Sequence, residues 1–138
     1  MDHGRLCFLF LGFLFACGLS SCSPAAPPVP EAEYSAKIVG EWQGTVGDNR
    51  EVISFKADGQ FACQLQPLGF IASTLGQGVT GTIRGTWTLD GMTITLNISS
   101  AEDERVLNKS TTSAIQSFKA NELKVRSALG ETSTFVRL

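Results

Sequence analysis

From Gly40 to the C-terminus, apolar and polar residues alternate with a period of two, and turn-forming residues interrupt the alternation at short intervals. This period is typical of β-strands that bury one face. In one stretch, Phe61, Cys63 and Leu65 alternate with polar or small neighbours. The dipeptides Asp58-Gly59 and Asp90-Gly91 favour tight hairpin turns between neighbouring strands. The pattern therefore predicts an all-β domain built from hairpins.

The number and spacing of the strands suggest how their edges are protected. A meander of eight short strands can remove its exposed edges by closing into a barrel. Residues 31–39 can form one or two helical turns, which Gly40 would end. Gly81 and Gly85, on the inner face of a long strand, predict a sharp bend. We predict an eight-stranded antiparallel up-and-down β-barrel after a short helical turn, with strands at 42–46, 51–56, 60–66, 79–89, 92–99, 111–118, 122–127 and 132–138.

The first 22 residues have a different composition from the rest of the 138-residue chain. Arg5 precedes an apolar run from Leu6 to Ala16, and small residues follow Gly18. This layout is typical of a secretory signal peptide. A retained transmembrane anchor is the alternative, although glycine interrupts the run and a spanning helix needs roughly 18 to 20 apolar residues.

The end of this segment resembles the lipobox of bacterial lipoprotein precursors, in the motif Leu19-Ser20-Ser21-Cys22. The resemblance implies that Cys22 is lipidated and becomes the first residue of the mature protein, which is held on a membrane by its acyl chains. The residue after the cysteine is Ser23 and not an Asp, which in Gram-negative members of this class implies transfer to the outer membrane. We expect the protein in the bacterial cell envelope, lipid-anchored on the periplasmic face of the outer membrane. The alternative is a conventionally secreted protein in which Cys22 pairs with Cys63.

These features divide the chain into three parts. Residues 1–21 are the predicted signal peptide and residues 22–33 a lipidated, Pro-rich tether. The stretch 23–30 holds four prolines, which favour a stiff polyproline II conformation. Residues 34–138 are the predicted β-barrel domain, for which we expect a monomer.

The residues around Gly40 carry a second resemblance. The segment Ile38-Val39-Gly40-Glu41-Trp42 resembles the Gly-x-Trp signature that opens the first strand of lipocalins and related calycin barrels. The wider pattern is similar to small bacterial lipocalin-like lipoproteins. The family implies that a basic residue on the last strand packs across the tryptophan and closes one end of the barrel, and Arg137 is positioned for this role. The alternative is a solvated Arg137. Avidins share the signature, but a polar set for biotin cannot be placed here.

Charge and side-chain chemistry disfavour several functions. The net charge of −2 gives no electrostatic case for nucleic acid. The single histidine, His3, lies in the signal segment, so we predict no catalytic residue, no enzyme activity, no cofactor and no metal site. Cys63 falls on an apolar face and is interpreted as a small core residue. The acidic residues 102–104 are interpreted as a solvated loop.

Two functions from different classes remain. The predicted inner face carries no charge, so a guest would be apolar; the alternative is a fully packed core. In the first hypothesis the barrel binds a small hydrophobic molecule or acyl chain, and the loop 67–78 is a lid over its mouth. In the second, the barrel is a protein-binding or inhibitory module with a filled core, for example one like a protease inhibitor. Its anchor is then the exposed side chains of Phe70, Ile71 and Leu75. The candidate ligand-binding residues are Phe55, Phe61, Phe70, Ile71, Trp87 and Met92.

Overall fold

A computed structural model describes residues 26–46, 49–76 and 78–138. The predicted signal peptide, the lipobox and Cys22 lie outside the described residues. A 3-10 turn at Glu31–Glu33 leads into the short helix α1, a second helix, α2, follows β3, and another 3-10 turn lies at Glu104–Val106. The bounds are α1 Tyr34–Lys37, β1 Gly40–Val46, β2 Asn49–Phe55, β3 Gln60–Leu65, α2 Phe70–Leu75, β4 Gly81–Asp90, β5 Thr93–Ala101, β6 Ser110–Lys119, β7 Glu122–Ser127 and β8 Thr132–Arg137.

The eight strands form a closed antiparallel barrel in sequence order. Each strand pairs with its neighbour in the chain, and β1 also pairs with β8, with Trp42 opposite Arg137 and Gly44 opposite Phe135. Closure leaves no strand edge of the barrel without a partner, which is the usual solution for an up-and-down meander. The predicted fold class is confirmed.

The inner face of the barrel follows the alternation in the sequence. In β3, Phe61, Cys63 and Leu65 are buried, while Gln60 and Gln64 are exposed. Similar alternation buries Ile94, Leu96 and Ile98 on one face of β5, and Leu123 and Val125 on one face of β7. Hydrophobic burial on this face is the main source of stability expected for such a domain.

Gly85 bends the long strand β4. The register between β4 and β5 shifts between Arg84 and Gly85. A Cβ atom at Gly85 would overlap the backbone carbonyl of Asn97 on β5. The strands therefore approach each other here more closely than any side chain would allow, at one of the two glycines where the sequence predicts a bend.

The N-terminal segment lies against one end of the barrel. Pro28 forms an isolated bridge with Lys119, and the backbone N–H of Val29 donates to the carbonyl of Phe118 at 2.8 Å. The ring of Tyr34 stacks on that of Phe118, with centroids 5.1 Å apart. Residues 28–34 are thereby fixed to the end of β6. Within the described ranges, no helix is long and apolar enough to cross a membrane.

Three details of the strand pattern differ from the sequence prediction. β4 begins at Gly81 and not at Val79, because Gly81 adopts a φ of +92° that ends the preceding loop. The loop 67–78 contains helix α2, and its apolar side chains are buried. Met92 is 44% exposed in the β4–β5 turn, so its predicted place on the inner face is wrong. Asp90 pairs with Thr93, which leaves Gly91 and Met92 as the two turn residues.

Candidate ligand-binding site

The two ends of the barrel differ, and we call them the sealed end and the helix end. The sealed end carries α1 and the turns at 56–59, 91–92 and 120–121, whereas the helix end carries α2 and the loops at 66–80, 102–109 and 128–131. Successive strands run between these ends in opposite directions.

At the sealed end, Arg137 lies across the ring of Trp42. The guanidinium carbon is 4.3 Å from the ring centroid, and Trp42 is fully buried. The indole Nε1–H donates to the carbonyl of Ile38 at 2.8 Å. A guanidinium over a tryptophan face is worth roughly 0.5 to 2 kcal/mol, because the ring quadrupole attracts the cation.

The guanidinium also satisfies backbone carbonyls around this end. It donates to the carbonyls of Ala120 at 3.0 Å and Val39 at 2.9 Å, and to that of Lys37. Gly40 has a φ of +135°, and a Cβ atom there would meet the guanidinium at 2.7 Å. Gly40, Trp42 and Arg137 thus lie together, as the resemblance implies, and no ligand can enter here without displacing them.

At the helix end, α2 turns its apolar side chains toward the interior. Phe70, Ile71, Ala72 and Leu75 are buried. The ring of Phe70 packs edge-on against Phe135, with centroids 6.0 Å apart. The helix starts after Gly69 and ends at Gly76, whose φ of +131° favours glycine. The strand alternation in the sequence is interrupted here because these residues form a helix that covers the end of the barrel, and not a strand.

The first turn of α2 is bound by the carboxylate of Glu51. Glu51 lies near the start of β2 and is only 2% exposed. Its Oε2 accepts from the backbone N–H of Ile71 at 2.8 Å, and its Oε1 accepts from that of Ala72 at 3.0 Å. Helix N-termini leave such N–H groups without partners, so this carboxylate holds the helix in place.

Burial raises the pKa of Glu51 above its ordinary value, and hydrogen bonds from the backbone of Ile71, Ala72 and Gln66 act in the opposite direction. Burial, and secondarily the charge of Glu51, raises the pKa of the Cys63 thiol well above its usual range. Both shifts have the same origin, since an apolar wall penalises negative charge.

An apolar cavity of about 30 Å³ lies beneath α2. Three of its lining residues come from the helix itself, and the others come from the inner faces of β2, β5, β6, β7 and β8. The lining residues are Ile53, Phe55, Phe70, Ile71, Thr74, Ile94, Leu96, Thr111, Ser113, Leu123, Val125 and Phe135.

Hydroxyl groups form the polar part of this lining. The hydroxyl of Thr111 on β6 donates to Thr74 Oγ1 on α2 at 3.2 Å, and Thr74 donates to the carbonyl of Ile71 at 2.7 Å. The bond from Thr111 attaches the C-terminal end of α2 to the wall opposite Glu51, because β2 and β6 are four strands apart in an eight-stranded barrel.

The structure separates the six candidate ligand-binding residues into three groups. Phe55, Phe70 and Ile71 line the cavity. Phe61 and Trp87 are buried in the core outside that lining, and Trp87 Nε1–H donates to the carbonyl of Lys56 at 2.9 Å. Met92 is exposed and lies at the sealed end.

Sequence reasoning missed Glu51. The expectation of an inner face without charge is wrong, because this carboxylate shares the buried side of β2 with Ile53 and Phe55. The period-two pattern contains the signal, since Glu51 is two residues before Ile53. Its partners on α2 are twenty and twenty-one residues away, and no local pattern reveals them.

In the part of the chain that the structure describes, potential metal ligands, surface ion pairs and cysteines do not point to a second site. Within residues 26–46, 49–76 and 78–138, no three His, Cys, Asp or Glu side chains are close enough to hold a metal ion. In the acidic loop, Glu102 accepts from the backbone N–H of Thr82 at 3.1 Å, and Asp103 forms an ion pair with Arg105 at 2.5 Å. Cys63 is buried and forms no disulfide with any described residue.

Comparison with known proteins establishes the fold. No protein-family model and no curated protein matches the chain. Among solved structures it is similar to a lipocalin-like protein from Bacteroides uniformis, with 16% identity, a TM-score of 0.50, and coverage of 74% of this chain and 99% of that one. An uncharacterized protein from Bacteroides eggerthii aligns with 12% identity and a TM-score of 0.47, over 72% of this chain and 98% of that one. The chain thus has the fold of a lipocalin-like protein, an eight-stranded antiparallel β-barrel with a short helix.

Proposed function

We propose that this barrel is a non-catalytic binding module for a small hydrophobic molecule or an acyl chain, and that α2 is the lid of its binding site. The supporting observation is the apolar cavity to which both the barrel wall and the helix contribute. Phe70 and Ile71 of α2 and Phe55 of β2 face the same space. A ligand taking the place of the helix would therefore contact a wall that is already apolar.

The size of the cavity means that the lid must move. A cavity of about 30 Å³ holds roughly one or two water molecules, whereas sites for small organic ligands occupy roughly 300 to 1,000 Å³. Helix α2 has six residues, and isolated helices of this length are marginal in water. The position of α2 depends on its contacts with Glu51, Thr111 and Phe135, and displacing it opens the helix end of the barrel.

Native mass spectrometry of the protein purified from its own cells tests this function. We expect a non-covalent apolar molecule that leaves on gentle activation. Protein that is free of any such molecule, and that takes up none of a panel of fatty acids, alcohols and amines, would contradict the proposal.

A protein-binding or inhibitory module is the second candidate function. The nearly filled interior favours it, and so do three exposed leucines in the loops of the helix end, Leu68, Leu107 and Leu129. The anchor expected from the sequence is wrong in detail, because Phe70, Ile71 and Leu75 are buried in α2. A co-purifying protein in the same mass spectrum, with no small molecule, would support this candidate over the first.

We further propose that the module is held in the bacterial envelope by a lipid at Cys22, on the periplasmic face of the outer membrane. The support is the lipobox-like motif and the proline-rich stretch after it. The N-terminal segment meets the barrel at Pro28 and Val29, on the sealed end. The tether would therefore approach the barrel from the end opposite α2.

A further inference from the structure

Glu51 also bears on which head group a ligand can carry. Two of its hydrogen-bond donors, the backbone N–H groups of Ile71 and Ala72, belong to α2, and the backbone of Gln66 in the adjoining loop supplies a third bond. The proposed function requires α2 to leave its place. That movement removes the donors of α2 from a carboxylate that stays on the wall of β2.

Nothing in the cavity lining replaces those donors. The lining contains no charged side chain, and its hydroxyl groups on β6, Thr111 and Ser113, are on the opposite wall. The charge of Glu51 contributes to the raised pKa of Cys63, whose thiol is only a weak donor. Without the amides of α2, the carboxylate keeps only the bond from Gln66. A partly buried carboxylate with too few donors is costly, so the open barrel favours a ligand that supplies donors itself.

The position of Glu51 also defines the orientation of such a ligand. Glu51 lies at the helix end of β2, and Ile53 and Phe55 follow it on the same inner face toward the sealed end. Ile53, Phe55, Ile94 and Leu123 line the cavity along this direction. An amphiphile can therefore place its head group at Glu51 and its chain along the barrel axis.

We infer that the site is selective for single-chain amphiphiles with a primary amine or a similar N–H donor as head group, which binds the Glu51 carboxylate in place of the amides of Ile71 and Ala72. The inference rests on the proposed function. Carboxylate head groups are disfavoured, because they would place a second negative charge beside a buried one that has lost the two amide donors of α2. The raised pKa of Glu51 is consistent with this, since its surroundings already penalise negative charge.

Calorimetric titration of the purified protein at neutral pH with dodecylamine, dodecanol and dodecanoate tests the inference. These probes share one chain and differ in the head group. We expect dodecylamine to bind about tenfold or more tightly than dodecanoate, with dodecanol between them, as the pairing of one charge in a partly dry site would give.

The variant Glu51→Gln should reduce the preference to less than about threefold, because the charge that selects the amine is gone. The matched control is Glu102→Gln, which removes one exposed carboxylate from the same end of the barrel and changes the net charge equally. The control should keep the preference of the wild type, which excludes general attraction between a cation and an acidic protein.

The outcomes separate the inference from the proposed function. If all three probes bind the wild type equally, or dodecanoate binds most tightly, the inference is wrong and the binding function stands. If Glu51→Gln keeps the preference, the inference is also wrong. If none of the probes binds, the proposed function fails and the inference fails with it. Even if Glu51→Gln does not fold, the affinities of the three probes for the wild-type protein test the inference.

Discussion

The backbone of Gly69 packs directly against the carboxylate of Glu51, so closely that a methyl group on Gly69 would overlap it. The backbone of Gly69 is in the ordinary extended region, with a φ of −67°, so alanine is excluded by contact and not by conformation. The close approach lets both oxygens of Glu51 reach the amides of α2. Glycine at this position is therefore part of the attachment of the lid.

Gly69→Ala should loosen α2 while leaving the barrel folded. The methyl group displaces the carboxylate and weakens its bonds to Ile71 and Ala72, at a cost of about 1–3 kcal/mol typical of overpacking. Hydrogen exchange at the amides of Ile71 and Ala72 should accelerate roughly tenfold or more, while β5 and β6 keep their protection. The double variant Glu51→Ala, Gly69→Ala is the control. With the carboxylate gone, the added methyl group should cost much less, and an equal cost in both backgrounds would show that the two residues are not coupled.

Glu51 should also give the stability of the protein a distinct pH dependence. Burial raises the folded-state pKa of Glu51 above that of the unfolded chain, so folding favours its protonated form. Its contribution is fully present below the unfolded pKa, about 4.3, and is lost as the pH rises through the folded pKa. The urea midpoint of the wild type should therefore fall relative to that of Glu51→Gln as the pH rises from about 4 toward neutrality.

The control for this measurement is Glu102→Gln, which retains Glu51. Its midpoint should follow that of the wild type over the same pH range. A difference between wild type and Glu51→Gln that stays constant with pH would show that Glu51 does not change its protonation on folding in this range.

Arg137→Lys should destabilise the sealed end. A lysine keeps the charge but lacks the planar fork that lies over Trp42 and donates to the carbonyls of Ala120 and Val39. We expect a loss of about 1–2 kcal/mol in the free energy of unfolding, measured by urea denaturation and followed by tryptophan fluorescence. Arg126→Lys, on the outer face of β7, should change stability by less than about 0.5 kcal/mol. Equal losses in the two variants would contradict a special role for Arg137.

Cys22→Ala tests the proposed lipid anchor. If Cys22 carries the acyl chains, the variant should move from the membrane fraction to the soluble fraction or remain as an uncleaved precursor, and the intact mass should lack the lipid. Cys17→Ala is the matched control, because Cys17 lies within the predicted signal peptide, directly after its apolar run, and should be removed with it. Unchanged partitioning and mass in Cys22→Ala would refute the anchor.

The sealed end shows how far a sequence can define such a barrel. Gly40, Trp42 and Arg137 are identifiable because the signature, the alternation and the chain position agree, and the structure places the three residues in contact. The strands are identifiable for a similar reason, since a one-residue shift would move each apolar set to the wrong face. The sequence pattern places Met92 wrongly on the inner face. The alternation of apolar residues continues through Met92, although this residue belongs to the turn and not to β5.

The structure of the helix end cannot be predicted from the sequence in the same way. Helix α2 is too short for a helical period to emerge, and its stability comes from tertiary contacts with Glu51, Thr111 and Phe135. Glu51 appears in the sequence as an acidic residue near the start of a strand. Its burial makes sense only once the chain brings α2 back over β2, which depends on the closed topology and not on local propensity.

The most direct test of the central proposal is to lock the lid with a disulfide. Thr74 on α2 and Thr111 on β6 have hydroxyl oxygens 3.2 Å apart, so cysteines at both positions would bring two thiols together between the helix and the wall. Dodecanol binding to the purified Thr74→Cys, Thr111→Cys variant should be lost, by at least about tenfold, when the variant is oxidised. Binding should return on reduction, and each single variant should bind equally in both states. An oxidised double variant, with the bridge confirmed by mass, that binds dodecanol as tightly as the reduced form would show that no ligand enters beneath α2.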